Sequence, residues 1–119
     1  MTTQELEDRL IDFASRIIDI VEALPKGLIT RHLGGQLVRS GTSPALNYGE
    51  ARGAESPSDF IHKLRICLKE LRETFICLKI INRRNWFSKG KLDFILKEND
   101  ELIAIFVSSI RTHGSSKKS

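Results

Sequence analysis

Several residue types and patterns that mark membrane or cross-linked proteins are scarce in this chain of 119 residues. Its longest apolar run, residues 102–107, is far shorter than the roughly 20 residues that a transmembrane helix needs. The first residues lead into an acidic segment instead of the apolar core of a signal peptide. On one helix the two cysteines, Cys67 and Cys77, would lie about 15 Å apart, too far for a disulfide. These features predict a cytoplasmic protein without a membrane partner, in which both thiols stay reduced and buried.

Groups that usually carry catalysis are also sparse. The three histidines show no metal-ligand spacing: His32, His62 and His113. The pair Gly34-Gly35 lacks both the Gly-Lys-Ser/Thr ending and the preceding strand of a phosphate-binding loop. Ser40 and Ser43 have no obvious base nearby in the sequence that would activate a hydroxyl. The sequence therefore predicts a protein that is not an enzyme and has no metal site and no cofactor.

What the chain has instead is helical periodicity, which recurs four times. We predict helices over about residues 3–23, 29–54, 56–82 and 91–112. Thr3 is the predicted N-cap of the first helix, and Ser56 followed by Pro57 is a typical start for the third. Four helices of similar length with short connections predict an all-α, antiparallel up-down-up-down bundle. One domain would cover residues 1–112, followed by a flexible, basic C-terminal tail over residues 113–119.

The chain has more apolar surface than one bundle needs. The predicted core stripes comprise Leu6, Leu10, Phe13, Ile17, Ile20 and Leu24 in the first helix, Phe60, Leu64, Cys67, Leu68, Leu71, Phe75 and Leu78 in the third, and Leu92, Ile95, Leu96, Leu102, Ile103, Phe106 and Ile110 in the fourth. Further apolar residues lie outside these stripes: Ile11, Ala14 and Ile18 in the first helix, Ile66, Ile76 and Ile80 in the third, and then Trp86 and Phe87. Second apolar faces on two helices predict that the protein associates with itself.

The net charge of +4 is unevenly distributed, since residues 1–24 hold six acids and two bases while residues 25–54, 55–88 and 89–119 are each net positive. In the third helix, six basic side chains fall within an arc of about 100° opposite the core stripe. They are His62, Arg65, Lys69, Arg72, Lys79 and Arg83. Such a face can bind the phosphate backbone of RNA or DNA, because its cations displace condensed counterions and arginine adds bidentate contacts.

Two other interpretations of this face stay open. It can be a solvated helix surface, or it can pair with the acidic first helix of a neighbouring subunit. Glu70 and Glu73 lie beside the face and weaken its positive character. Five further cations are candidates to extend the basic surface: Arg31, Arg39, Arg52, Lys117 and Lys118.

The second predicted helix contains a run that is rich in residues helices avoid. The motif residues are Arg39, Ser40, Gly41, Ser43, Pro44, Asn47, Tyr48 and Glu50. Pro44 removes the donor that would reach the Ser40 carbonyl, which predicts a kink. Gly34, Gly41 and Ala45 predict the close approach of a neighbouring helix.

A polar stripe runs along the same helix: Gln36, Ser40, Ser43, Asn47 and Glu50. We interpret these side chains as bonding to one another and to the backbone that Pro44 leaves unpaired. A small-molecule pocket along the stripe is the less favoured alternative.

Two blocks of this sequence resemble the bacterial "four helix bundle protein" family, which includes proteins encoded in intervening sequences of 23S ribosomal RNA genes. One block is residues 36–43 with Asn47-Tyr48 and Glu50-Ala51, and the other is residues 59–64 with 68–74. The resemblance implies an antiparallel four-helix bundle assembled into a homopentameric ring, without an established enzymatic activity. It also implies distant kinship with the accessory protein of diversity-generating retroelements, a basic ring that binds nucleic acid and a reverse transcriptase. Pro44 and Gly49 depart from the family pattern.

Together these patterns predict a non-enzymatic, oligomeric four-helix bundle that binds RNA or DNA through basic helix faces. The alternative is a scaffold for protein–protein interaction, with a protein partner and no contact with nucleic acid.

Overall fold

A computed structural model describes the backbone of residues 1–118 and the side chains of residues 1–114. Four α-helices, α1 (Thr3–Ala23), α2 (Leu28–Arg52), α3 (Pro57–Asn82) and α4 (Asp93–Lys118), are the regular elements of these residues, which include no strand. The predicted all-helical, four-helix fold is therefore confirmed. The helix α4 continues beyond residue 112, where the periodicity predicted its end. The flexibility of a tail over residues 113–119 stays a prediction, since Ser119 and the side chains of residues 115–118 lie outside the described part.

The helix starts follow from the capping residues in the sequence. Thr2, and not Thr3 as predicted, caps α1: its hydroxyl accepts from the Glu5 backbone N–H at 3.0 Å, and the Glu5 carboxylate accepts from the Thr2 N–H at 3.3 Å. Thr2 takes this position because a glutamate three residues later completes the reciprocal pair. Ser56 caps α3 as predicted, accepting from the Asp59 N–H at 3.1 Å, with Pro57 at the first helical position.

The core consists of the buried faces of all four helices. Its largest fully buried side chains include Phe13, Phe106, Leu10, Ile17, Leu37, Leu64, Leu71, Leu78, Ile81, Leu92 and Leu102. In α3 the buried face is rotated from the predicted stripe: Thr74, Cys77 and Ile81 are buried, while Phe60 and Phe75 are half-buried. The rotation arises because α3 packs against α2 on one side and α4 on the other.

The contacts between neighbouring helices follow a regular order. From one end of the α2–α3 interface to the other, the Cys77 thiol lies 3.7 Å from the Leu33 carbonyl, the Thr74 hydroxyl 2.9 Å from that of Ser40, and the Lys63 ammonium 3.4 Å from the Glu50 carboxylate. The helices α1 and α4 also meet, because Arg9 donates to the carboxylates of Glu98 and Glu101, each at 2.7 Å. The four helices therefore share one core.

Part of the predicted second apolar surface is exposed. Ile11, Ile18, Ile76 and Ile80 have 53%, 40%, 57% and 45% of their surface accessible. Ala14 and Ile66 are half-buried, and Trp86 and Phe87 pack against the core from the connection between α3 and α4. No helix within residues 1–118 has an apolar stretch long enough to cross a bilayer.

Candidate nucleic-acid interface

The six basic residues predicted for the third helix are all exposed, five of them on α3 and the last, Arg83, at its C-cap: His62, Arg65, Lys69, Arg72, Lys79 and Arg83. They are held outward because Leu64, Cys67, Leu71 and Leu78 are buried on the opposite side of the same helix. Among the side chains of residues 1–114, none of the six forms an ion pair with a carboxylate. We call these six residues the α3 face.

The two acids that border this face are engaged by a neighbouring helix. Arg39 of α2 donates to Glu70 at 2.9 Å and also pairs with Glu73. The hydrogen bonds that Arg39 donates to Glu70 and then to Glu73 raise the pKa of its guanidinium above its ordinary value. Because one cation compensates part of this negative charge, the carboxylates oppose the α3 face less than the sequence suggests.

The α3 face changes character along its length. Arg65, Lys69 and Arg72 give the first half a row of cations that starts beside His62. In the second half, exposed Ile76 and Ile80 stand among the cations, and the Lys79 ammonium lies 4.3 Å from the centre of the Phe75 ring. The first half is therefore the part best suited to phosphate groups.

Two cations named as extensions of the basic surface are already paired. Arg39 bonds Glu70 and Glu73, and Arg52 lies 3.1 Å from the Glu7 carboxylate. Arg31 is exposed, whereas the side chains of Lys117 and Lys118 lie outside the described residues. Four further exposed cations, Lys26, Arg84, Lys89 and Lys91, were not predicted from the sequence and lie in the α1–α2 and α3–α4 connections. Their concentration in short connections without an acid is the signal that could have found them.

The motif of α2 forms the packing surface between helices. Ser40 is fully buried and its hydroxyl accepts from Thr74 at 2.9 Å, while Asn47 donates to the Ser43 hydroxyl at 2.9 Å. Tyr48 is buried edge-on against Phe106, with ring centres 5.9 Å apart. Gln36 and Glu50 are exposed, so the polar stripe does not face one common space. These contacts support side-chain bonding within the stripe and from α3 to Ser40, while bonding to the backbone that Pro44 leaves unpaired stays a prediction.

Gly41 of α2 packs directly against Ile17 of α1. A Cβ atom built there would lie 2.7 Å from Ile17 Cγ2 and 2.9 Å from Ile17 Cγ1. At Gly34 the corresponding atom would lie 3.3 Å from Val21 Cγ1, which is tight but tolerable. The predicted close approach is confirmed, and Gly41 carries most of it. Pro44 is buried inside α2, which continues through it as a helix, and the predicted kink stays a prediction.

Both cysteines are free and buried, as predicted. The Cys67 thiol donates to the Pro44 carbonyl at 3.5 Å, and burial raises its pKa to about 12. Burial, followed by the charge of Glu73, also raises the pKa of Cys77.

Alkaline pH should therefore destabilise the fold through Cys67. Below the ordinary thiol pKa, Cys67 is protonated in both the folded and the unfolded chain, so its contribution to the free energy of unfolding is fully present. Above it only the unfolded chain ionises, so the free energy of unfolding falls by at most about 1.4 kcal/mol per pH unit until the folded thiol also ionises. Urea denaturation at about pH 8 and about pH 10 should show a loss at least about 1 kcal/mol larger for the native sequence than for Cys67→Ala. Equal losses would contradict this effect.

Four long helices around one core, with an outward basic face on α3, define a small all-helical bundle protein. The chain matches the family described as 23S rRNA-intervening sequence protein over residues 4–108, and it belongs to that family. Among solved structures it is similar to a protein of unknown function from the S23 ribosomal protein family of Bacteroides thetaiotaomicron. The two share 30% identity with a TM-score of 0.80, over 93% of this chain and 99% of the other. A search of curated proteins found no match. The resemblance seen in the sequence is thus confirmed.

Proposed function

We propose that this chain is a non-enzymatic, oligomeric four-helix bundle of the cytoplasm that binds RNA or DNA through the α3 face. The observation that carries the proposal is the row Arg65, Lys69 and Arg72. These cations are exposed and, within residues 1–114, without a carboxylate partner, while Arg39 binds the two nearest acids. Unpaired cations on a helix surface are available to phosphate groups.

The chemistry of the face fits a phosphate backbone. Each ammonium or guanidinium that meets a phosphate releases condensed counterions, which makes binding favourable and dependent on salt. Arginine also forms bidentate hydrogen bonds with phosphate and stacks on bases. Such contacts read little sequence, so the proposal is for binding to nucleic acid with modest sequence preference.

The proposed assembly is an antiparallel up-down-up-down bundle that associates into a ring. The antiparallel order is supported by the α2–α3 contacts, since residues that come later in α2 meet residues that come earlier in α3. Self-association is supported by the exposed isoleucines Ile11 and Ile18 of α1. The number of five subunits comes from the family resemblance. A ring repeats the α3 face, so that contacts that are weak singly add through multivalency.

Binding should weaken with salt and depend on the α3 face. We expect Arg65→Glu/Lys69→Glu to lower the affinity for a labelled RNA hairpin or single strand by at least about tenfold at 0.1 M salt. The reason is that two phosphate contacts become two repulsive ones. Fluorescence anisotropy over a salt series measures both the affinity and its slope. Circular dichroism melts should show that the variant stays folded, because both residues are exposed.

A matched control is Lys97→Glu/Arg111→Glu, which makes the same change of charge at exposed positions of α4. It should retain most of the affinity, since these positions lie on another helix. Affinity that is absent at low salt, that ignores salt, or that both variants reduce equally would refute binding through the α3 face.

The second candidate function is a scaffold that binds a protein partner and no nucleic acid. It is favoured by apolar side chains exposed outside the core, of which Leu46 on α2 and Phe94 on α4 are 68% and 61% accessible. Protein that purifies without nucleic acid, shows no affinity in the salt series and captures a defined protein partner would support it.

A further inference from the structure

One end of the bundle brings together two connections that are distant in sequence. The end of α1 and the connection between α3 and α4 line a shared groove, in which Ala23 and Ile20 face Phe87, Lys91 and Phe94. The contact of the Cys77 thiol with the Leu33 carbonyl places the start of α2 beside the end of α3. We call this region, residues 24–32 and 79–92, the basic end.

The basic end carries cations and no acids. Its seven cations are Lys26, Arg31, Lys79, Arg83, Arg84, Lys89 and Lys91, and neither segment contains an aspartate or glutamate. All seven are exposed. Within residues 1–114 none of them forms an ion pair, and two of them lie over aromatic rings: Arg84 is 5.6 Å from the Trp86 ring centre and Lys79 is 4.3 Å from that of Phe75. The neighbouring carboxylates are Asp19, Glu22 and Asp93, so the local balance stays strongly positive.

The backbone adds to this positive field. The N-cap of α2 is Gly27, which offers no side chain to bond the first amide groups, and the first turn of the helix contains no acid. The first amide N–H groups of α2, which lie in sequence between Lys26 and Arg31, therefore have no side-chain cap, and the helix dipole there also favours an anion. Together with the seven side chains, this makes the basic end attractive to a chain of phosphates rather than to one small ion.

The basic end is continuous with the α3 face. Lys79 and Arg83 belong to both, and the path from Arg65 to Arg83 along α3 is about 27 Å at 1.5 Å per residue. That length corresponds to about eight successive phosphates of one strand in duplex form. A strand of nucleic acid that binds along the α3 face therefore reaches the basic end.

We propose that the basic end is a second phosphate-binding site, and that one strand of RNA or DNA runs from the α3 face onto it. The inference rests on the proposed function, because it extends the binding of the same RNA or DNA strand beyond the α3 face. Arg84 and Lys89 are its most specific residues, since they lie beyond α3 and are not needed for the α3 face.

The test compares three double variants with the same change of charge: Arg84→Glu/Lys89→Glu at the basic end, Arg65→Glu/Lys69→Glu on the α3 face, and Lys97→Glu/Arg111→Glu as the control. The probes are a labelled single strand of mixed sequence and a labelled RNA hairpin, titrated over a salt series. We expect the basic-end variant to lose at least about tenfold in affinity at 0.1 M salt. For the single strand, the slope of log affinity against log salt should become less steep by about 1.4. The control should keep both the affinity and the slope.

The outcomes separate this inference from the proposed function. If the native protein binds neither probe, both are wrong. If the α3-face variant loses binding while the basic-end variant matches the control, the second site is wrong and the proposed function stands. Exposed Leu28 and Ile29 beside these cations are also compatible with an anionic lipid surface. If the basic-end variant loses binding to vesicles of phosphatidylcholine and phosphatidylserine but keeps its affinity for both probes, the assignment to nucleic acid is overturned.

Discussion

Replacing Gly41 with leucine should lower the free energy of unfolding by about 3 kcal/mol or more. Even the first added carbon would lie within 3.0 Å of two atoms of Ile17. Ile17 cannot move aside, since it is fully buried and its branched side chain has few allowed rotamers. The larger leucine must therefore separate α1 from α2, which exposes core side chains on both helices. Urea denaturation followed by circular dichroism measures the loss.

Gly49 of the same helix provides the control for this substitution. It is exposed, and an added Cβ atom would meet nothing within 4 Å. Gly49→Ala should stabilise the protein by about 0.5–1 kcal/mol, because alanine has the higher helix propensity. A Gly41→Leu variant as stable as the native protein would refute the close approach of α1 and α2.

Replacing Asn99 with aspartate should destabilise the fold by about 3–5 kcal/mol at neutral pH. Asn99 is fully buried in α4, and its amide donates to the Leu71 carbonyl of α3 at 3.0 Å. Its own oxygen has no hydrogen-bond partner among the described residues. Aspartate has nearly the same shape, but it places a negative charge against a carbonyl oxygen and removes the donor. The expected loss is therefore the cost of an unpaired buried charge.

The loss of stability caused by Asn99→Asp should depend on pH. Burial raises the pKa of a carboxyl group at position 99 in the folded state, so the loss should be small below about pH 4, where both states are protonated. The loss should grow as the pH rises, because the unfolded chain ionises first, and it should level off above the folded pKa. The measurement is the difference between Asn99→Asp and the native protein in urea denaturation from acidic to neutral pH.

Asn85→Asp is the matched control, since Asn85 is exposed in the connection between α3 and α4. It should change stability by less than about 0.5 kcal/mol across the same range. A constant difference between Asn99→Asp and the native protein at all pH values would contradict the buried charge.

Much of the fold was predictable because its signals are local. The spacing of Leu6, Leu10, Phe13 and Ile17 places them on one side of a helix, and all four are buried. Ser56-Pro57 predicted the start of α3 because the capping hydrogen bond joins Ser56 to Asp59, only three residues later. The motif around Gly41 indicated both the family and a close helix contact, and both are confirmed.

The candidate site was predictable only in part. The outward position of Arg65, Lys69 and Arg72 follows from helical spacing, so the sequence placed them on one face. The engagement of the two neighbouring acids does not follow from helical spacing. It depends on Arg39 of α2, which pairs with Glu70 and Glu73 across the helix interface. The sequence also made Arg39 a candidate to extend the basic surface, and the structure pairs it with Glu70 and Glu73.

The sequence by itself determined the helices, most of their buried faces and the basic surface of α3, since each depends on neighbours within about one or two turns. Only the tertiary structure decided that α3 packs against both α2 and α4. This packing buries Thr74 and Ile81 and leaves Phe60 and Phe75 half-buried. The tertiary structure also decided that Asn99 lies in the core, and that the end of α1 lies beside the α3–α4 connection more than 60 residues later in the chain. Such features depend on which helices become neighbours in space, a choice made by packing the whole core rather than by periodicity within one helix.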